Sequence, residues 1–517
     1  MMADSPLANP VAIALKFLVP VASRVALAAE LAGSGSPRRA WLTAAYLDTP
    51  DLRLAQAGLA WCVRREGGRW VQAVQALKAT GGSAGAPSGH EVDRLDAAPD
   101  ANAHAGTPPG DELLALLGKA RKDGVEAGVR FQSQVRRLAR RVRTRGAVVE
   151  ITLDEGRLLA GGAEQRLREV TFELVSGAPA AMLALAERWR GRYGLLHDPR
   201  SRAERGHALA ASGPDAPLRK AALPRYGKRA SAMEAFGAVL DECLAHIGRN
   251  AIGLATSPAN GLEDVEAALR VELVHQLRVG IRRLRSALRV FRGWVAEPPV
   301  ELVDGLRVLF AALGRARDSD VLASGVGAEL ALVGAPALPV PGPADAVDPA
   351  ALIRAGDTQS LLLAWITWRA GLQAEPEPEP ASAAEQAPEA LGPLKRLARR
   401  RLRRWHQRLA ADGLAFDTLD EAAVHELRKR VKRQRYAMEF FAPLLQAKAA
   451  ARDLKPLAAA QRRLGEYNDL VVARDNYRAH VAADPAAWFA VGWLTARIAE
   501  ARAKARDVLG RLAAVDH

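Results

Sequence analysis

The first 212 residues alternate between apolar and polar side chains with a period of two, which is the pattern of β-strands with two different faces. In the first such segment, residues 9–20, one face is apolar and the other carries Ala12, Ala14 and Lys16. Similar segments follow to residue 177, separated by Gly, Pro and Asp turn residues. Helical stretches near 110–120 and 180–194 interrupt them. Many short alternating strands predict an antiparallel barrel or sandwich.

Beyond residue 228 the apolar positions follow the period of α-helices. The Pro-rich segment 213–228 is predicted to be a linker. Two further segments, 334–349 and 374–393, consist largely of Ala, Pro, Gly and acidic residues, and we predict flexible loops because such compositions cannot build a core. The sequence therefore predicts a two-domain α+β protein, with strands in residues 1–212 and helices in residues 229–512.

The polar faces of the predicted strands carry bases and acids together. The basic positions are Lys16, Arg64, Lys78 and Arg136. The acidic positions are Glu91, Asp93, Glu150, Asp154, Glu169 and Glu173. If these faces point outward, they form an ordinary solvated surface, which alternation alone favours. If they point inward, they form a charged lumen in which carboxylates hold a metal ion and Lys and Arg hold phosphate.

The helical half contains an internal duplication. The stretch VHQLRVGIRRLRSAL (274–288) matches VHELRKRVKRQRYAM (424–438). Each copy is followed at nearly equal distance by a second matching element, so that Asp318 lies 43 positions after His275 and Asp469 lies 44 after His425. Order and spacing both recur, which is typical of a duplicated unit. We predict two helical hairpins packed in a pseudo-symmetric bundle.

Each repeat places one histidine and a row of cations on a single side of a helix. The first row is His275, Arg278, Arg282, Arg285 and Arg289, and the second is His425, Arg428, Lys432 and Arg435. Like charges spaced in this way destabilise an isolated helix, so a duplicated row indicates a polyanionic ligand. A solvated basic surface is the alternative interpretation. A metal site is disfavoured because the arginines repel a divalent ion.

The composition indicates which class of ligand the protein binds and in which compartment it is found. The chain of 517 residues has 73 Lys and Arg against 58 Asp and Glu, a formal net charge of +15, which favours anionic partners. It has two cysteines, which indicates a reducing compartment. The longest apolar run, residues 360–368, is too short to span a bilayer, and we expect a cytoplasmic protein of bacterial type without a membrane partner. The oligomeric state stays open.

The duplicated motifs resemble the CHAD domain, the conserved-histidine α-helical domain, over residues 229–512. The resemblance rests on the paired VHxLR stretches, on RARDSDVL and on LGEYNDLVVARD. It implies a duplicated all-α bundle that binds inorganic polyphosphate. By position, the implied binding residues are His275, Arg278, Arg282, Arg285, His425, Arg428, Lys432 and Arg435.

The first half resembles a CYTH domain, a triphosphate tunnel metalloenzyme, over about residues 9–210. The supporting stretches are AIALKFLV, AYLDTPDLRLAQAGLAWCVRREGGRW, VEITLDEGRL, REVTFELVSG and SRAERGHAL. The resemblance implies an eight-stranded antiparallel barrel with flanking helices and a charged lumen. It also implies phosphate contacts from Lys16, Arg64, Lys78, Arg136 and Arg202, and Mg²⁺ or Mn²⁺ bound by Asp154, Glu169 and Glu173.

The first strand departs from the signature of that family. The signature is Glu-x-Glu-x-Lys, and this chain has Ala12-Ile13-Ala14-Leu15-Lys16. The phosphate-contacting lysine remains, whereas both metal-binding carboxylates are replaced by methyl groups. Carboxylate oxygens hold the divalent ion in such chemistry, so we expect binding of triphosphate or polyphosphate with impaired hydrolysis. The alternatives are an active metal-dependent inorganic triphosphatase and a nucleic-acid-binding protein, the second disfavoured because few aromatics accompany the basic helices.

Overall fold

The computed structural model describes residues 14–33, 37–76, 89–212, 218–257, 264–321, 326–335, 348–372 and 393–514. Contacts divide the chain into two compact units. The first comprises Met1–Arg219, Ala245–Leu262 and Ile353–Glu375, and the second comprises Lys220–Leu244, Glu263–Leu352 and Pro376–His517. This division places Ala245–Leu262 and Ile353–Glu375, which we predicted in the helical domain, with the first unit. Most of the two predicted flexible loops lies outside the described residues.

The first unit is built on an antiparallel sheet whose described part has nine strands. They are β1 (Ala14–Leu18), β2 (Arg38–Asp48), β3 (Leu59–Glu66), β4 (Arg69–Ala76), β5 (Gly89–Arg94), β6 (Gly128–Thr144), β7 (Ala147–Ala160), β8 (Ala163–Gly177) and β9 (Leu196–His197). The order in the sheet is β5-β4-β3-β2-β6-β7-β8-β1-β9. The predicted eight-stranded closed barrel is not confirmed, because in the described residues β5 and β9 form the two edges of an open sheet.

Helices lie against both faces of this sheet. They are α1 (Arg24–Ala32), α2 (Arg53–Ala57), α3 (Pro108–Lys122), α4 (Pro179–Tyr193) and α5 (Arg202–Ser212). The apolar faces of β1, β7 and β8 pack under α1 and α4, where Phe17 and Phe172 are fully buried. On the opposite face α5 approaches so closely that a Cβ on Gly206 would lie 2.0 Å from the ring of Phe131. Gly206 therefore permits the contact between α5 and the sheet.

The remaining helices follow in the second half of the chain. They are α6 (Ala232–Thr256), α7 (Asp264–Phe291), α8 (Val300–Val321), α9 (Ala328–Leu332), α10 (Pro349–Arg354), α11 (Gly356–Gly371), α12 (Leu394–Leu414), α13 (Glu421–Phe440), α14 (Ala447–His480) and α15 (Ala487–Ala513). The predicted helical period is confirmed. No helix in the described ranges is long and apolar enough to cross a membrane.

The apolar stripes beside the two cationic rows form the core of the second unit. Leu277, Ile281 and Leu284 of α7 are fully buried, as are Leu427 and Val431 of α13. Burial of an aliphatic side chain contributes about 1.5–3 kcal/mol. The apolar stripes therefore fix the rotation of both helices, and with it the direction in which each cationic row points.

Candidate functional site

Charged side chains line one face of the central strands of the first unit. Asp154 on β7 and Glu169 on β8 are direct cross-strand neighbours, and both are buried. Arg202, at the start of α5, donates hydrogen bonds of 2.5 Å to one carboxylate oxygen of each. The opposite face of these strands is apolar and packs under α1 and α4. At Asp154 and Glu169 the polar face is therefore buried, as the inward orientation predicts, whereas Glu173 on the same face of β8 is exposed.

Glu169 lies at the centre of this group. Besides Arg202, it has Lys16 Nζ at 3.9 Å and Arg205 Nη1 at 3.4 Å from its Oε2 atom. Burial raises the pKa of Glu169, but the charges of these three cations outweigh burial and lower the pKa to about 2. The carboxylate is thus held ionised by its neighbours. We name Lys16, Asp154, Glu169, Arg202 and Arg205 the interior charge cluster.

The cations of this cluster have further partners. Arg205 also lies 3.4 Å from Asp198, whose pKa is lowered by Arg200, Lys16 and Arg205 despite burial, which raises it. Lys16 Nζ donates a hydrogen bond to the backbone carbonyl of Arg200, and burial lowers the pKa of Lys16. Arg137 of β6 makes two hydrogen bonds, of 2.8 and 2.7 Å, to Asp154. Basic side chains therefore surround the two buried carboxylates.

The predicted metal ligands do not fit a divalent ion. Asp154 and Glu169 share the guanidinium of Arg202, and Glu173 is exposed and opposite Ala14 in the ladder between β1 and β8. Among the described residues, no group of three or more His, Cys, Asp or Glu side chains is arranged to hold a metal. Arg202 supplies to both carboxylates the positive charge that a metal would bring.

The other predicted residues of the sheet are dispersed. Arg64 lies on the inward face and makes hydrogen bonds of 3.0 and 2.8 Å to Glu91. Arg136 lies on the outward face, where it is exposed and donates to Glu155 at 3.2 Å. We placed Arg136 on the inward face, but Arg137 occupies that position, because alternation in VRRLARR cannot tell the two arginines apart. Lys78 and Ala12 lie outside the described residues.

The remaining acids are paired near the surface. Glu150 forms ion pairs with Arg38 and, at 3.6 Å, with Arg141. Asp93 has Arg69 at 3.5 Å, and both side chains are about two-thirds exposed. Exposed pairs of this kind contribute little to stability, and none of these acids joins the interior charge cluster.

Cations of both repeats converge where α7 packs against α13 in the second unit. Arg278 and Arg282 of α7 hold their guanidinium carbons 5.0 and 5.5 Å from the ring centre of Phe310 on α8. Arg428 of α13 lies 3.7 Å from Asp469 of α14. Lys432, one turn further along α13, is buried. We name Arg278, Arg282, Arg428 and Lys432 the cation cluster.

The pKa of Lys432 shows how the charges of the cation cluster act on one another. It is 9% exposed. Burial is the largest cause that lowers its pKa, followed by the charges of Arg282 and Arg428, while Asp469 raises it; the result is a pKa of about 6. Burial and Arg282 also lower the pKa of Arg428. Among the described residues, the side chain of Lys432 therefore lies close to cations whose charge the neighbouring carboxylate of Asp469 does not balance.

The rest of the two predicted rows extends away from the cluster. Arg285 has its guanidinium 5.7 Å from the Phe310 ring, and burial together with neighbouring arginines lowers its pKa. Arg289 is exposed, and His275 is half-buried. Arg435 is paired with Glu439 at 3.0 Å. His425 is exposed and has its Nδ1 atom 2.8 Å from Oδ1 of Asn468.

Two residues that contribute to these sites, Phe310 and Arg205, were not predicted from single motifs. Phe310 lies on α8, between the two repeated elements, and presents its ring to three arginines of α7. Arg205, three positions beyond Arg202 on α5, reaches Glu169 and Asp198. The spacing of Arg202 and Arg205 is the one available indication, since residues three apart share a helix face.

Together, the fold and its site define a duplicated α-helical module with a converging cationic face. The sequence model of the CHAD domain matches residues 238–478. A crystal structure of the CHAD domain from the plant Ricinus communis is 31% identical, with 58% of this chain and 98% of that chain covered and a TM-score of 0.45. Residues 238–478 are a CHAD domain, and the chain belongs to the CHAD-domain proteins.

Two solved structures show similarity over a smaller part of the chain. A protein from Hippeastrum, described as an adenylyl cyclase with a dominant triphosphatase activity, is 14% identical over 39% of this chain and 96% of its own, with a TM-score of 0.28. A protein from Bacillus halodurans, described as an adenylate cyclase, is 15% identical over 37% and 94%, with a TM-score of 0.26. Similarities of this size do not assign residues 9–210 to a family, and the CYTH resemblance stays a prediction.

Proposed function

We propose that the protein binds inorganic polyphosphate at the cation cluster of its CHAD domain. The observation that carries the proposal is Lys432, a buried lysine whose pKa is lowered to about 6 by burial and by Arg282 and Arg428. A site of this kind is electrostatically strained while empty, and an anion relieves the strain. A chain of phosphoryl groups supplies many acceptor oxygens at close spacing, and guanidinium groups bind phosphate in bidentate geometry.

The geometry favours a chain over a single phosphate. The cluster joins two helices of different repeats, and the row of α7 continues through Arg285 to Arg289, about 17 Å from Arg278 at 1.5 Å per residue. Arg428 has a buried Nε atom without a hydrogen-bond partner in the described part of the chain, so this donor is available to a ligand oxygen. An extended polyanion can contact all of these groups at once.

The titration of Lys432 gives a pH dependence that tests the proposal. Bound phosphoryl groups raise the pKa of Lys432 above its free value of about 6. Binding therefore takes up a proton between pH 6 and the pKa of the complex, and affinity falls by up to about tenfold per pH unit in this window. Below pH 6 Lys432 is protonated in the free protein as well, so its full contribution to the affinity is present. Calorimetric titration of the full chain with long-chain polyphosphate from pH 6 to pH 9 measures it.

Two variants separate Lys432 from other titrating groups. Lys432→Arg stays charged throughout, so its affinity should equal the wild-type value near pH 6 and exceed it at pH 8. Lys432→Met should bind weakly with no such pH dependence. An unchanged pH profile in both variants would contradict the assignment. Displacement of polyphosphate by duplex DNA at equal phosphate concentration and physiological salt would favour the nucleic-acid alternative instead.

We also propose that the interior charge cluster binds triphosphate or the end of a polyphosphate chain but hydrolyses it poorly. Lys16, Arg202 and Arg205 converge on one buried carboxylate, and Arg137 lies next to them on Asp154. These cations suit phosphate oxygens. The two carboxylates that would hold a divalent ion are bound by Arg202, and the sequence has alanines at positions 12 and 14.

The residues of the interior charge cluster determine the result that we expect from a hydrolysis assay. Phosphate release from tripolyphosphate with Mg²⁺ or Mn²⁺ should stay far below typical enzyme turnover, on the order of 1–1000 per second. Ala12→Glu with Ala14→Glu should raise the rate, because it supplies the two acids of the Glu-x-Glu-x-Lys signature. The matched control is Ala44→Glu on strand β2, which β6, β7 and β8 separate from β1 in the sheet, and it should leave the rate unchanged. Rapid turnover by the unmodified chain would establish the active triphosphatase instead.

A further inference from the structure

A cavity of about 1090 Å³ runs along α12, between this helix, the second half of α13 and the beginning of α14. Six cations of α12 line it: Lys395, Arg396, Arg399, Arg400, Arg403 and Arg404. They extend over about 14 Å of helix at 1.5 Å per residue. All six are exposed. The cavity is therefore open to solvent along a wall of positive charge.

Residues 395–404 of α12 include no acidic residue. In the described ranges of the chain, none of the six forms an ion pair with a carboxylate. The lining contains one acid, Asp453, which lies 2.9 Å from Arg452. Cations at spacings of three and four residues repel one another. Some exposed arginines elsewhere in the unit, such as Arg292 and Arg506, have an acidic partner. A row of this length that has no carboxylate partner among the described residues indicates an anionic ligand.

The cavity is separate from the cation cluster but is connected to it by further arginines. Gln434 and Met438 face the cavity from α13, whereas Arg428 and Lys432 lie on another side of that helix. Arg433 lies between the two sites, with its guanidinium 5.8 Å from the ring centre of Trp405 on α12. Burial and then the nearby charge of Arg289 lower the pKa of Arg433. A sequence of cations thus leads from the row of α7 past Arg433 to α12.

We propose that the α12 cavity is a second anion site, which holds a distal segment of the polyphosphate chain whose other segment binds the cation cluster. The inference rests on the proposed function and adds chain-length selectivity to it: a long chain reaches both sites, and tripolyphosphate fills one. Occupying two linked sites with one ligand raises affinity without a new kind of contact. The described lining includes no aromatic side chain, which disfavours a nucleic-acid strand, since such ligands use stacking platforms.

The test compares long-chain polyphosphate with tripolyphosphate on the full chain. The variant Arg399→Ala/Arg400→Ala/Arg403→Ala should lose about tenfold in long-chain affinity, and the slope of log K against log salt should flatten by about 2 to 3. Its tripolyphosphate affinity should stay at the wild-type value. The matched control, Arg408→Ala/Arg478→Ala/Arg511→Ala, removes three exposed arginines that do not line the cavity and should leave both affinities unchanged.

Each outcome bears on one of the two proposals. Unchanged long-chain affinity, or an equal loss for both ligands, would overturn the second site. A loss in the α12 variant together with no loss in Arg282→Ala/Arg428→Ala would overturn the cation cluster as the site and leave the cavity as a polyphosphate site. Two controls exclude a folding defect. Thermal melts are measured for all variants, and the variant Arg399→Gln/Arg400→Gln/Arg403→Gln should reproduce the loss of affinity seen with alanine.

Discussion

Replacing Arg282 and Arg428 with alanine and Lys432 with methionine should weaken long-chain polyphosphate binding by at least about 100-fold. Charge-assisted hydrogen bonds contribute roughly 1.5–3 kcal/mol each, and 1.4 kcal/mol corresponds to a factor of ten in affinity. Two of these residues are arginines that can bind phosphate in bidentate geometry, and the third is the buried lysine between the repeats. Isothermal titration calorimetry of the full chain at fixed pH and salt measures the loss.

The same triple variant separates binding from folding. It removes like charges from a partly buried site, so its melting temperature without ligand should equal or exceed the wild-type value. Polyphosphate should raise the melting temperature of the wild type and have little effect on the variant, because only a ligand bound to the native state stabilises it. The control Arg408→Ala/Arg478→Ala/Arg511→Ala should behave as wild type. Full affinity in a folded triple variant would overturn the polyphosphate proposal.

Replacing Glu169 with glutamine should lower the free energy of unfolding of the first unit by about 3 kcal/mol at pH 7. The pKa of Glu169 is about 2 in the folded chain, against about 4.3 for an unfolded glutamate. Each unit of difference corresponds to 1.36 kcal/mol. Because the folded pKa is the lower one, the stabilisation is present above pH 4.3 and is lost as the pH falls through about 2.

Chemical denaturation at several pH values checks this result. The gap between wild type and Glu169→Gln should be full at pH 7 and should close towards pH 2. Glu164→Gln on the same strand is the matched control, since Glu164 pairs with Arg157 at the surface, both about half exposed, and such pairs contribute about 0–1 kcal/mol. A pH-independent gap would show that the loss comes from packing rather than from charge.

The same variant, Glu169→Gln, also tests whether the interior charge cluster binds triphosphate. Without the Glu169 charge, Lys16, Arg202 and Arg205 lose their shared partner, and a phosphoryl group can replace it. Tripolyphosphate should therefore stabilise Glu169→Gln more than wild type in the denaturation experiment. Equal stabilisation of the two proteins would place triphosphate elsewhere.

The faces of single elements could be predicted from the sequence because a strand and a helix each impose one period. The period of two placed Asp154 and Glu169 on the polar side of their strands, and the period of 3.6 placed Arg278 beside Arg282. The duplication predicted that α7 and α13 would be equivalent, and both bury their apolar stripes. The prediction was wrong for Arg136, where two consecutive arginines left the strand parity undetermined.

The sequence by itself determined the periods, the duplicated cationic rows, the alanines at positions 12 and 14 and the excess of positive charge. Only the tertiary structure decided that the sheet is open in its described part, that Arg202 joins Asp154 to Glu169, and that Lys432 is buried among arginines of the other repeat. The reason is physical. A period fixes the direction of a side chain within its own element, whereas its partner on a distant element depends on register and packing across the whole core.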